Sequence, residues 1–281
     1  MSSTAIRSRS AGVSGHLLVA LVALAVALSL ALVIAPRTLA ASGSADFSDE
    51  NALRDAFRKA FAEYWASGSG DFPASLQHTV DYWFRYHIAK AVIAGLLLIV
   101  LAALAVLVWK AFLRAAELGA GISAALATAG TFVSLLALFA LLTVMANIQG
   151  VAAPFASLLP MLPVGDSGGD LAPTLNQIRQ DLAEDRITPA LRVMIDDFGR
   201  YHAAMAVIAA TTGVIAIVAS ALCWRAFART TGSDKRTRRT LAVFATLATV
   251  LSLAAITIAV VNTATAADSP PALTAFFDGG W

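Results

Sequence analysis

Charge is scarce in this chain. Asp, Glu, Lys and Arg make up only 14% of its 281 residues, against about 25% in an ordinary soluble domain. No acidic residue falls inside any of the five longest apolar runs. That weakens a proton- or cation-coupled transport path, which normally needs a carboxylate at membrane depth. Cysteine is limited to Cys223, which itself sits in an apolar run. A single cysteine excludes an intrachain disulfide and a cysteine-based metal site. A net charge of +2 offers no bulk electrostatic case for a nucleic-acid partner. There is no G-x-x-x-x-G-K-[ST], H-E-x-x-H or C-x-x-C string. The chain therefore leans away from an enzyme, and nothing in it calls for a cofactor.

What the chain has in quantity is apolar sequence, 58% of all residues, with a mean hydropathy of +0.74. A spanning helix needs about 20 apolar residues to cross about 30 Å of hydrocarbon. Five stretches meet that length: 16–36, 88–109, 122–148, 203–224 and 240–264. Helices are the expected form, because lipid offers no partner for unpaired backbone groups. The segments are also too long and too rich in Leu and Ala for barrel strands. The alternating connections carry opposite charge. Arg7 and Arg9, then Lys110 and Arg114, then Arg225, Arg229, Lys235, Arg236, Arg238 and Arg239 mark one side. Asp46, Asp49, Glu50 and Asp55, then Asp166, Asp170, Asp181, Glu184 and Asp185, mark the other. The basic side is expected in the cytoplasm, which puts the N-terminus inside and the C-terminus outside. The wealth of Ala, Val and Leu, with little Lys, points to a GC-rich bacterial genome, and the expected location is the bacterial plasma membrane. The first apolar run, of about 20 residues, exceeds the 7–15 of a signal h-region, so an uncleaved anchor is expected over residues 1–40.

The chain also contains a repeat. Residues 85–114 and 200–229 match at 13 of 30 positions, ungapped, at a shift of 115. Apolar matches mean little here, but Arg-Tyr-His at one end and Trp-x-Ala-Phe-x-Arg at the other are specific. Thr131 with Thr246 and Asn147 with Asn262 continue the same register. A unit with two crossings keeps its orientation when duplicated, so the copies should be parallel about an axis along the membrane normal. The expected fold is an all-α integral membrane protein with five transmembrane helices. The two-helix repeat would form a pseudo-two-fold four-helix bundle, with the first helix as an N-terminal anchor and amphipathic helices outside. Repeat A covers 41–150, repeat B 151–266, and 267–281 is a C-terminal tail. Small residues spaced by four are the candidate helix contacts: Gly121, Ala125 and Ala129, Ala91 and Gly95, and Ala206 and Ala210.

The outer segments read as helices. Ser48 is a candidate cap for a helix with Leu53, Phe57, Phe61, Tyr64 and Trp65 on one face. Leu175, Ile178 and Leu182 form a weaker stripe in the second copy. A further outer helix should start near Pro73 and near Pro189, the latter capped by Thr188.

The residues that could carry chemistry lie in the duplicated motif Asp-x-x-x-Arg-Tyr-His. The candidate outer polar site comprises Asp81, Arg85, Tyr86, His87 and Asn147, with Asp196, Arg200, Tyr201, His202 and Asn262. Asp and Arg four apart on a helix can pair. Asp196 and Asp197 read as an exposed, solvated pair. Lys90 can snorkel, and its counterpart is Met205. The plainer reading makes Arg and Tyr interface anchors. Trp109, Lys110, Arg114, Trp224, Arg225 and Arg229 are the anchors of the cytoplasmic boundary. His87 and His202 could each give an imidazole to a haem or metal, as facing helices do in bundles, but nothing else in the sequence supports that.

The leading expectation is a non-enzymatic multi-pass protein with a structural, assembly or regulatory role through its outer helices and bundle surface. The alternative is a small transporter or channel with its polar site at the repeat interface. A third reading is a haem- or metal-binding redox protein using the paired histidines. The partners expected are the lipid bilayer and either a membrane protein or further copies of this chain.

Overall fold

A computed structural model describes residues 15–41, 47–115, 119–164 and 169–280. Arg7, Arg9, Asp46 and Asp166 of the charge pattern lie outside the described residues. Among the described residues the regular structure is helical, with no strand. The helices are α1 (Gly15–Ala41), α2 (Glu50–Ser67), α3 (Ala74–Arg114), α4 (Ala120–Ala152), α5 (Pro154–Leu158), α6 (Ala172–Ala183), α7 (Pro189–Arg229), α8 (Lys235–Ala267) and α9 (Ser269–Phe277). Five of them, α1, α3, α4, α7 and α8, are long and apolar enough to cross a membrane. The five apolar runs fall on these five helices.

The helices outrun the apolar runs. At 1.5 Å per residue, the 41 residues of α3 and of α7 extend about 60 Å, roughly twice the hydrocarbon thickness. The outer helices expected at Pro73 and Pro189 are therefore the first turns of α3 and α7. Pro189 starts α7, and the Thr188 hydroxyl accepts the Leu191 N–H at 3.2 Å. The cap of α2 is Asp49, not Ser48: its carboxylate accepts the Ala52 N–H at 2.9 Å.

The chain divides into two compact units, 1–33 with 93–141, and 34–92 with 142–281. In the first, Ala25 of α1 packs with Leu97, Leu101 and Leu104 of α3 and with Ala140 of α4. Trp109 lies across Gly130, whose added Cβ would come within 2.8 Å of the indole. The Trp109 Nε1–H donates to Ser134 Oγ at 3.1 Å. Trp109 is thus tied to a neighbouring helix, whereas Lys110 and Arg114 are exposed.

The second unit holds the α7–α8 hairpin and a helical cap. Ala206, Ala209, Gly213, Ala216 and Ser220 are buried along α7, facing a stripe on α8 that includes Ala245, Ser252 and Ala255. A Cβ on Gly213 would meet the Ala255 Cβ at 3.5 Å, so the backbones run close together. The expected spacing of four is corrected here. Ala210, Gly121, Ala125 and Ala129 are exposed, and Gly95 has open space beside it. A strict step of four drifts around a helix of 3.6 residues per turn, whereas alternating three and four keeps one face.

The cap is a small aromatic-centred domain. The expected stripe of α2, Leu53, Phe57, Phe61, Tyr64 and Trp65, is buried along its whole length. Leu175, Ile178 and Leu182 of α6 are buried too. Phe155 of α5 is the centre, with the Phe72, Tyr64 and Phe61 rings at 4.9, 5.8 and 6.3 Å. Leu76 and Val80 of α3 and Leu191, Met194 and Phe198 of α7 complete the core from below. The stretch set apart as a tail contains α9, whose Leu273, Phe276 and Phe277 enter the same core. Gly68 ends α2 at a φ of +63°, a left-handed turn that glycine takes without steric cost.

Candidate functional site

The two histidines make the same joint twice. His87 on α3 bonds Asn147 on α4, Nδ1 to Oδ1, at 2.9 Å. His202 on α7 bonds Asn262 on α8 at 2.8 Å. Each asparagine also donates its Nδ2 to a carbonyl one turn earlier, Thr143 at 2.7 Å and Ile258 at 2.8 Å. That second bond turns Oδ1 toward the ring. The ring nitrogen facing an acceptor must carry the proton, so both imidazoles are Nδ1–H tautomers when neutral.

The other ring nitrogen is enclosed. Among the described residues, Nε2 of His87 and Nε2 of His202 are both buried and meet no hydrogen-bond partner. A Cβ on Gly150 would lie 2.6 Å from three atoms of the His87 ring, so the α4 backbone rests against that imidazole. Trp83 meets the ring at 4.7 Å, edge to face. A haem iron or metal ion needs a free nitrogen lone pair with room in front of it. One nitrogen of each ring is engaged by asparagine and the other is covered, so these residues do not fit such a group. Among the described residues no three His, Cys, Asp or Glu side chains gather closely enough to hold a metal.

The arginines do not pair as expected. Gln77 takes the Asp81 carboxylate at 2.8 Å, and Arg85 instead donates Nε to the Ala40 carbonyl at 3.0 Å. Asp196 is exposed. Arg200 bonds Asp197, three residues back, at 2.9 Å. Asp197 is therefore no solvated neighbour of Asp196. It is buried, and its second oxygen accepts the Ala156 N–H of α5 at 2.8 Å. The motif carries two acids, and burial selects the one on the core-facing side of α7, a choice that helical spacing alone leaves open.

Tyr86 stacks on Trp83 at 5.0 Å, with ring planes 3° apart. Its hydroxyl accepts from Lys90 Nζ at 3.3 Å. The Tyr201 carbonyl accepts from the buried Gln149 side chain at 3.2 Å. Trp83 donates Nε1–H to Ser157 at 2.9 Å. The leader helices are tied by matching arginines: Arg58 Nε to the Met161 carbonyl at 3.0 Å, and Arg179 Nε to the Phe277 carbonyl at 2.8 Å. Sequence reasoning misread Asp197 as solvated and passed over Gln149, Gly150 and Trp83. The signal for Arg58 and Arg179 was present, since they occupy the same place in the matched strings at 57–63 and 178–184.

Trp224, Arg225 and Arg229 are exposed near the far end of α7. One G-x-S-x-G string does occur, at 165–169. A nucleophile elbow requires a strand leading into it. A short 3-10 turn at Leu159–Met161 stands upstream instead, and 165–168 lie outside the described residues. Comparison of the chain with family models, curated proteins and solved structures gave no match.

Proposed function

We propose that this chain is a non-enzymatic multi-pass protein of a bacterial plasma membrane that acts through its helical cap in assembly, envelope organisation or regulation. The observation that carries the reading is where the polar motif ends up. Arg85 goes to a backbone carbonyl, Asp197 to a backbone amide and Arg200, and each histidine to an asparagine. The Arg85, Asp197 and histidine bonds fasten separate helices to one another, while Arg200 pairs with Asp197 within α7. The cap they support has a closed core of aromatic and aliphatic side chains.

The recurrence of the His–Asn joint at a shift of 115 supports a tandem duplication, with the paired hairpins as a pseudo-two-fold four-helix bundle and α1 outside. The charge alternation supports a cytoplasmic N-terminus, with cap and C-terminus on the other side. The cap surface is the face offered to a membrane-protein partner or to a further copy of the chain.

The test compares two variant sets in cells in which loss of the protein has a measurable envelope phenotype. Solvent-facing cap substitutions should abolish complementation at unchanged expression and melting. Arg85→Ala and Asp197→Ala should lose function only in step with lost stability or insertion. Loss of function in the motif variants at full stability would sink the reading. Flux of a small solute or ion through proteoliposomes above the protein-free rate would favour the transporter alternative.

A further inference from the structure

An open groove of about 400 Å³ lies beside α7, where α8 gives way to α9. That volume is within the ~300–1,000 Å³ typical of small-molecule sites. Its lining includes Asp196, Gly199, Arg200 and Ala203 on α7 and Asp268 and Ser269 at the joint. We infer that this groove binds the headgroup of a membrane phospholipid carrying both a phosphate and a primary ammonium, of the phosphoethanolamine type. The inference rests on the membrane reading above.

Small residues line the α7 side of the groove. At a shift of 115, Gly199 corresponds to Phe84, Ala203 to Ile88 and Asp268 to Ala153. Phe84 and Ile88 are exposed on α3 at 38% and 39%. On the matching surface of α7, Gly199 lets Ser269 pack close, since an added Cβ would meet its Oγ at 2.9 Å, and the exposed Ala203 leaves the space beside it open. The arginine is kept at both places but used differently. Arg85 is turned to the Ala40 carbonyl, whereas the Arg200 side chain is 62% exposed, with one Nη1 bond to Asp197. A guanidinium has five N–H donors, so Arg200 keeps several for a phosphate.

The charges select the ligand. Asp197 largely balances Arg200, and the exposed Asp196 and Asp268 leave the groove acidic. The C-terminal end of α8, at Ala267, adds the negative pole of a helix dipole. A phosphate alone would be repelled, and a ligand bearing a cation is favoured. Among the described residues no aromatic ring lines the groove. Quaternary ammonium groups cannot donate hydrogen bonds and are held by aromatic cages. A primary ammonium can donate hydrogen bonds to the two carboxylates. The groove also sits where both apolar runs of the hairpin end toward the cap, 203–224 and 240–264. Below it the apolar surface continues through Val207 and Val261, 67% and 57% exposed. An acyl chain continuing from the headgroup would lie along that surface, which favours a lipid over a free solute.

Native mass spectrometry of the full-length protein, titrated with short-chain phosphatidylethanolamine, phosphatidylcholine and phosphatidylglycerol, tests this. Phosphatidylethanolamine should bind at least tenfold more tightly than the other two. Asp196→Asn combined with Asp268→Asn should remove that excess and leave the other lipids unchanged. Ala203→Ile, which restores the residue of the first copy on an exposed position, should do the same while the melting curve stays at wild type. Equal binding of the three lipids would overturn the inference. So would an excess that survives both variants, or glycerophosphoethanolamine binding as tightly as the lipid, which would make the groove a solute site. Carbonate extraction of the protein from cell membranes separates the two failures. Release into the soluble fraction would refute the membrane reading itself, while retention with equal lipid binding would refute only the headgroup site.

Discussion

Gly150→Ala is the sharpest perturbation the structure offers. The added methyl would lie 2.6 Å from Cδ2, Cε1 and Nε2 of His87, where carbon contacts prefer about 3.5–4.0 Å. The imidazole would have to retreat by about 1 Å. Trp83 stands against it at 4.7 Å, and its Nδ1 is held by Asn147 at 2.9 Å. Overpacking of this kind costs about 1–3 kcal/mol, and loss of the His87–Asn147 bond adds about 1 kcal/mol. Alanine is the better helix former by up to about 1 kcal/mol, so the net destabilisation should be about 1–3 kcal/mol. Reversible unfolding in mixed micelles, followed by tryptophan fluorescence, measures it. His87→Ala removes the obstructing ring, so Gly150→Ala placed on that background should cost nothing further, giving a coupling energy as large as the clash. The residue 115 positions on is Thr265, which is half-buried, and Thr265→Ala should stay within about 0.5 kcal/mol. A Gly150→Ala protein as stable as wild type, or equal costs on both backgrounds, would refute the argument.

The two adjacent acids should separate cleanly. Asp197→Ala leaves the Ala156 N–H without its acceptor and should cost about 1–3 kcal/mol, whereas the exposed Asp196→Ala should stay within about 0.5 kcal/mol; comparable losses in chemical unfolding would contradict the assignment. Burial, and then the charge of Asp71, push the Tyr64 hydroxyl from 10 up to about 12. Because the folded value is the higher, this contribution is complete below pH 10 and is lost as pH rises from 10 toward 12. Tyr64→Phe should flatten that alkaline slope while losing the bond to the Ala190 carbonyl, and an unchanged slope in a pH series of melts would count against the burial. For orientation, a membrane-impermeant maleimide on intact cells should label Glu63→Cys in the cap but not Lys110→Cys, both in a Cys223→Ser background; the reverse pattern would invert the proposed topology.

The five long helices and the buried stripe of α2 were legible because they depend on local periodicity. Leu53, Phe57, Phe61 and Tyr64 recur at helical spacing, and a run of 20 apolar residues admits few other structures. The His–Asn joints were half legible. The register at a shift of 115 singled out His87, Asn147, His202 and Asn262, but the bonds between them join helices 60 residues apart in sequence. Asp197 was misjudged because adjacent acids look alike in a string. Only packing shows that one of them faces α5.

Local chemistry along the chain sufficed for the helices, their apolar runs, the charge alternation between them and the repeated motif. Tertiary structure alone decided which small residues form the seam of α7 and α8, since a rotation of one residue exchanges Ala209 for Ala210 at no local cost. It also decided that α9 belongs to the cap core, that Arg85 and Arg200 part ways, and that a groove opens beside Gly199. Each of these depends on which atoms approach from distant parts of the chain, and the free energy of such contacts is written in no single segment.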